Sequence, residues 1–137
     1  MFIAYKTTGD SDKIDLGAIA TAQDIPRHFL SKILQTLVKH KLLISRKGPN
    51  GGFQLAREAK DIYLYEIVEA IDGLDVFSQC GLGFKRCSNH RPCPIHDDYK
   101  KLRENTENLF HNRNLQMLID DVRLGNSLVG LGPVLSS

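Results

Sequence analysis

A chain of 137 residues with a formal net charge of +2 and 42% hydrophobic residues has the balance of an ordinary globular protein, long enough for one head domain and an appendage but not for two large domains. No apolar run approaches the roughly 20 residues that cross a bilayer, and Met1–Lys6 has neither the basic segment nor the apolar stretch of an export signal, so no membrane partner and a cytoplasmic location are expected. The cysteines are three, an odd number confined to one segment, which argues against a disulfide framework and for thiols kept reduced.

Taken in chain order, Phe2 to Tyr5 reads as the end of a helix, and Thr7 to Asp12 has loop composition. Asp15 can cap a short helix with Leu16, Ile19 and Ala20 on one face; Asp24-Ile25-Pro26 stops it and starts another, with Pro26 suited to a first helical position. In that second helix Phe29, Leu30, Ile33, Leu34, Leu37 and Val38 recur at three-and-four spacing and are expected to be buried. The other face presents Arg27, His28, Ser31, Lys32, Gln35 and Lys39, a set that suits either a solvated surface or a major groove.

Leu42 to Arg46 and Phe53 to Leu55 are strand-like and flank Lys47-Gly48-Pro49-Asn50-Gly51-Gly52, which predicts a hairpin with a basic, glycine-rich tip. Helix, turn, helix and basic hairpin in that order point to DNA more specifically than any one of them. The basic side chains gather here, in Arg27, Lys32, Lys39, Lys41, Arg46 and Lys47, whereas Asp97, Asp98, Glu104, Glu107, Asp120 and Asp121 lie elsewhere. The expected DNA-contacting residues are Pro26, Arg27, His28, Ser31, Lys32 and Gln35 on the helix and Arg46, Lys47, Gly48, Pro49 and Asn50 in the hairpin.

A helix bearing Leu64, Ile67, Val68 and Ile71 closes at Asp72-Gly73, and the cysteine loop follows. From about His96 to Arg113 a long polar helix carries a narrow seam of Tyr99, Leu102, Thr106, Leu109 and Phe110, the pattern of a helix that packs on a partner helix and hence of dimerisation. Asn114 to Val122 adds a short amphipathic piece. The expected organisation is a DNA-binding head over 1–73 with a shortened first helix, a cysteine-rich loop over 74–96, a dimerisation helix with a short C-terminal helix over 97–124, and a disordered tail over 125–137.

Cys80, Cys87, Cys93 and His96 form a four-donor set of the kind that iron and zinc take. Structural zinc usually draws two cysteines from one tight knuckle, two to four residues apart; the intervals here are longer, and a loop with separated corners suits a larger iron–sulfur core. A small zinc site, a regulatory disulfide and metal-free thiols stay open, and His90 competes with His96, which is favoured for its place three residues after Cys93 at the start of the long helix. No Cys-x-x-Cys pair, Ser/His/Asp arrangement or phosphate-cradling glycine motif supports an enzyme, whether a thiol redox catalyst or another kind.

These segments together, Asp24 to Leu43, Arg46 to Leu55, Tyr65 to Gly73 and the Cys80, Cys87, Cys93 and His96 series, resemble the IscR/NsrR/CymR family of bacterial winged-helix regulators over about residues 14 to 122. The resemblance implies a mainly α fold with a small β-wing, a winged helix-turn-helix head, and a homodimer joined by long helices on a palindromic double-stranded DNA operator. It further implies, for the IscR-like branch to which His96 points, a two-iron two-sulfur cluster on three cysteines and one histidine that modulates operator binding, with the cluster-free regulator of the CymR-like branch as the alternative. The sequence departs from the family in four places: only the end of the first helix precedes Thr7, the first cysteine interval is one residue longer, Ser31 replaces a base-reading glutamate, and Lys47 replaces an arginine that can bind in bidentate fashion.

Overall fold

The computed structural model describes residues 1–7, 12–80, 82 and 89–125; Cys87 and the expected tail beyond Gly125 lie outside these. The chain divides into two compact units, one made of Met1–Ile62 together with Asn114 onward and the other of Tyr63–Arg113. No helix among the described residues is long and apolar enough to cross a membrane.

The first unit, the head, opens with the short helix α1 (Phe2–Lys6), followed by α2 (Leu16–Gln23) and α3 (Arg27–Lys39). Asp15 caps α2, its Oδ1 accepting the Ala18 N–H at 2.8 Å. The chain then turns through Asp24 in a left-handed conformation (φ 52°), where the Ile25 N–H reaches the Ala20 carbonyl at 3.0 Å, and Pro26 leads into α3. The same closure ends α3: Lys41 takes φ 62° and the Leu42 N–H donates to the Leu37 carbonyl at 2.9 Å.

Strands β1 (Leu43–Arg46) and β2 (Gly52–Leu55) pair antiparallel, Leu43 opposite Leu55 and Arg46 opposite Gly52. Ile14 extends the pairing by exchanging two backbone hydrogen bonds with Phe53, at 2.8 and 3.0 Å. Ile3, Ile19, Ala20, Leu30, Leu34 and Leu43 make the buried cluster under this framework.

Of the α3 stripe expected to be buried, Leu30 and Leu34 are buried, Ile33, Leu37 and Val38 are half-buried, and Phe29 departs outright. Phe29 is 56% exposed, whereas Leu30 and Leu34 are buried at its centre. Helical geometry puts Phe29 about 100° round from Leu30 in the first turn, at the edge of the stripe, and the buried cluster does not extend that far.

After a 3-10 turn at Ala59–Asp61 the chain leaves the head at Ile62, which is 1% exposed, and returns in helix α6 (Leu115–Arg123). Asn114 caps α6, Oδ1 accepting the Met117 N–H at 2.9 Å, and Leu115, Ile119 and Val122 are buried. α6 packs on α1 and on the 3-10 turn, and its first N–H donates to the Ile62 carbonyl at 2.9 Å.

The second unit contains α4 (Leu64–Asp72), a 3-10 turn at Leu74–Phe77 and α5 (His96–Asn112). Glu66 caps α4 by accepting the Tyr63 N–H at 2.9 Å, and Gly73 with φ 75° ends it. α4 and the 3-10 turn pack on α5 through Phe77 against Phe110 (ring centroids 5.7 Å apart) and through Tyr65 stacked on His111 (4.2 Å). Arg103 of α5 donates to the Gln79 carbonyl at 2.8 Å, tying the chain before Cys80 to that helix.

Candidate nucleic-acid interface and metal centre

On α3, Pro26, Arg27, His28, Lys32 and Gln35 are exposed and Ser31 is half-buried. Gln35 Nε2 donates to Ser31 Oγ at 3.3 Å, so two of the expected base readers hold each other one turn apart. Arg27 lies over α2, where glycine at position 17 makes room for it: a Cβ there would come within 3.2 Å of Arg27 Nη2. Arg46, Lys47, Gly48, Pro49 and Asn50 are all exposed at the hairpin tip.

The hairpin depends on its glycines. Gly48 has φ 106°, and the Gly51 N–H closes the tip on the Gly48 carbonyl at 2.9 Å, in a position where a side chain at Gly51 would collide with the Arg46 carbonyl. The tip is thus a tight turn with glycine at both ends and Lys47 beside it, a shape that can approach phosphates closely.

The electrostatic signal is larger than the clustering of six basic residues implied. Between Asp24 and Glu58 the sequence contains no carboxylate side chain and carries Arg27, Lys32, Lys39, Lys41, Arg46, Lys47 and Arg57. A whole helix-plus-hairpin segment of one sign favours a polyanion by long-range attraction and by release of its counterions. Reading the carboxylate gap as well as the cationic cluster would have found this from sequence.

A cleft of about 720 Å³ lies elsewhere in the head, beside β2, α6 and the 3-10 turn. Its cations are already engaged: Lys60 pairs with Glu58 at 3.0 Å, and Arg57 donates to the Asp61 carbonyl at 3.1 Å. The hydrogen bond to Glu58 and its charge hold the Lys60 pKa above the ordinary lysine value.

In the second unit Cys80 is buried and Cys93 half-buried, and the Cys80 thiol donates a hydrogen bond to Cys93 Sγ at 3.7 Å, with no disulfide between them. Two thiolates on one tetrahedral metal, each at about 2.3 Å, are separated by roughly 3.7–3.8 Å, so the pair is already at the spacing that a shared metal requires. His96, 6% exposed, places Nε2 at 2.8 Å from Asn89 Oδ1. A side-chain contact of this kind is how a second residue orients a ligating imidazole. Asn89 was not anticipated from sequence; only its nearness to His96 in space marks it.

His90 is exposed, and Cys87 lies outside the described residues. Among the described residues no group of three or more His, Cys, Asp or Glu side chains is arranged to hold a metal. Tyr99, Thr106 and Phe110 of the expected dimer seam are half-buried beside Val68, Val76 and Phe77 in a groove of about 290 Å³, whereas Leu102 and Leu109 are 60% and 52% exposed.

The Rrf2 family model, described as an iron-dependent transcriptional regulator, matches residues 1–121. A protein of Aquifex aeolicus, provisionally named an HTH-type transcriptional regulator, is 30% identical over 120 residues, 86% of this chain and 83% of that protein. The HTH-type transcriptional regulator IscR of Xenorhabdus nematophila is 27% identical over 106 residues, 77% of this chain and 64% of its own. Among solved structures, CymR, the global cysteine regulator of B. subtilis, superposes with a TM-score of 0.70 at 18% identity, covering 86% of this chain and 84% of CymR. T. potens IscR gives 0.69 at 21% identity, with 93% and 83% covered. These two likenesses show the fold, a mainly helical winged helix-turn-helix with a two-stranded antiparallel wing. With the carboxylate-free helix and hairpin and the family match over nearly the whole chain, the protein belongs to the Rrf2 family and is a DNA-binding transcriptional regulator rather than an enzyme.

Proposed function

We propose that the chain acts as a cytoplasmic homodimer on a palindromic operator and that an iron–sulfur cluster held by Cys80, Cys87, Cys93 and His96 sets its operator affinity. The observation that carries this reading is the donor geometry: two cysteine sulfurs in hydrogen-bond contact 3.7 Å apart with no disulfide between them, and a buried imidazole whose Nε2 lies 2.8 Å from Asn89 Oδ1. A bound cluster supplies one-electron chemistry and sensitivity to oxidants and nitric oxide.

The residues of the chain do the rest. Arg27, His28, Ser31, Lys32 and Gln35 enter the major groove with α3, while Arg46, Lys47, Gly48, Pro49 and Asn50 follow the neighbouring minor groove and backbone. Tyr99, Leu102, Thr106, Leu109 and Phe110 of α5 join two chains, so that two weak, salt-sensitive half-site contacts add to a specific affinity of about 10⁻⁸ M or better.

Cys80 follows the 3-10 turn packed on α5, and His96 is the first residue of α5. Ligands drawn together from those two places brace the segment that carries the dimer seam. A coupling of about 1–3 kcal/mol, typical between an effector and a ligand site, changes operator affinity about 5- to 150-fold.

Anaerobic purification with iron and sulfide analysis tests the cluster. Iron and sulfide in equal amount with visible absorbance are expected, both lost in Cys80→Ala and Cys93→Ala; colourless, iron-free protein from the same preparation would overturn it. The second reading, a cluster-free regulator of the same fold, is favoured by the fold likeness to CymR and predicts the same DNA binding with or without iron.

A further inference from the structure

Phe29 is the one aromatic ring among the exposed large hydrophobic side chains of the described residues, at 56% exposure. It occupies the first turn of α3, the part of a recognition helix that meets base edges. Its exposed neighbours are Arg27, His28 and Lys32, in a stretch without a carboxylate. A ring in that setting is surrounded by groups that attract phosphates, so the surface that covers it is DNA rather than an apolar protein face.

A phenyl ring neither donates nor accepts hydrogen bonds and cannot read the polar pattern of a base pair. The apolar group displayed in the major groove is the thymine C5-methyl. We propose that Phe29 is a specificity-determining residue that selects thymine, through contact with this methyl group, at one position of each half-site. The inference rests on the reading that α3 enters the major groove. It adds an apolar contact to the polar set around Ser31 and Gln35, whose 3.3 Å hydrogen bond leaves that pair to hydrogen-bonding readout one turn further on.

The test uses the full chain and a duplex selected from a random pool for tight binding. Each thymine is replaced singly by deoxyuridine, which removes the methyl and keeps every hydrogen-bonding group. At one symmetric position the wild-type protein is expected to bind about three- to fivefold more weakly, the factor for one buried methyl group. Phe29→Ser, a change at an exposed position with the fold checked by circular dichroism, is expected to bind the parent duplex more weakly and to treat thymine and uracil alike there. The proposal is overturned if no uracil substitution weakens wild-type binding, or if Phe29→Ser discriminates as the wild type does.

Lys32→Ala separates the two levels of the argument. If it weakens binding to all duplexes while uracil has no effect, α3 docks and Phe29 does not read the methyl. If it changes nothing, the docking of α3 fails and the proposal with it.

Discussion

The head and the second unit handle apolar side chains in opposite ways. Among the described residues the buried apolar side chains belong to the head, apart from Ala70, Phe77 and Cys80, while Ile71, Leu74, Val76, Leu82, Ile95, Leu102 and Leu109 of the second unit are exposed. The head closes a core of its own. The second unit leaves seven large apolar side chains exposed, Leu102 and Leu109 of the proposed dimer seam among them.

The sharpest way to break this contrast is at Ile62, the most buried side chain of the head. Ile62→Ala should cost about 2–5 kcal/mol, read as a lower urea midpoint, and a loss below about 1 kcal/mol would mean that the head core is looser than its burial suggests. Leu102→Ser combined with Leu109→Ser should do the reverse, sparing the unfolding midpoint of dilute protein while converting the proposed dimer to monomer in sedimentation equilibrium and weakening operator binding at least tenfold. A double variant that stays dimeric would move the partner surface away from α5.

Smaller effects sharpen the same comparison within the head. Asn114→Ala removes a buried cap and should lower stability by about 1 kcal/mol, seen as a drop of a few degrees in the thermal midpoint. Lys41→Gly should raise it by about 0.5–1 kcal/mol, because Lys41 sits at φ 62°, where glycine is free of the Cβ penalty. A destabilised Lys41→Gly variant would show that the lysine side chain contributes more to the head than its backbone conformation costs.

Much of the head was legible in the sequence because its signals are local. Asp15 as a cap and the glycines of the hairpin tip each depend on a few neighbouring residues, and each is found where it was expected. Phe29 was misjudged because three-and-four spacing gives an angle around a helix and says nothing about what lies opposite it. The same limit applies to α6: its stripe of Leu115, Ile119 and Val122 announces burial, but only the fold shows that α1 and the turn at Ala59–Asp61 provide it.

The cysteine segment was legible as chemistry and less so as structure. Donor types and spacing could be weighed, yet the bond from His96 to Asn89 depends on a side-chain approach across seven positions that no periodicity encodes. The resemblance named a family from the order of its segments, and the match over residues 1–121 places the chain in that family.

The second unit occupies a single uninterrupted stretch, and the ends it leaves in the head are held by one hydrogen bond, from the Leu115 amide to the Ile62 carbonyl at 2.9 Å. Ends that close can be rejoined by a short loop, since insertions are tolerated where termini meet. Tyr63 to Arg113 is therefore a removable cassette. Exchanging it for the matching stretch of another regulator would leave every buried residue of the head as it is.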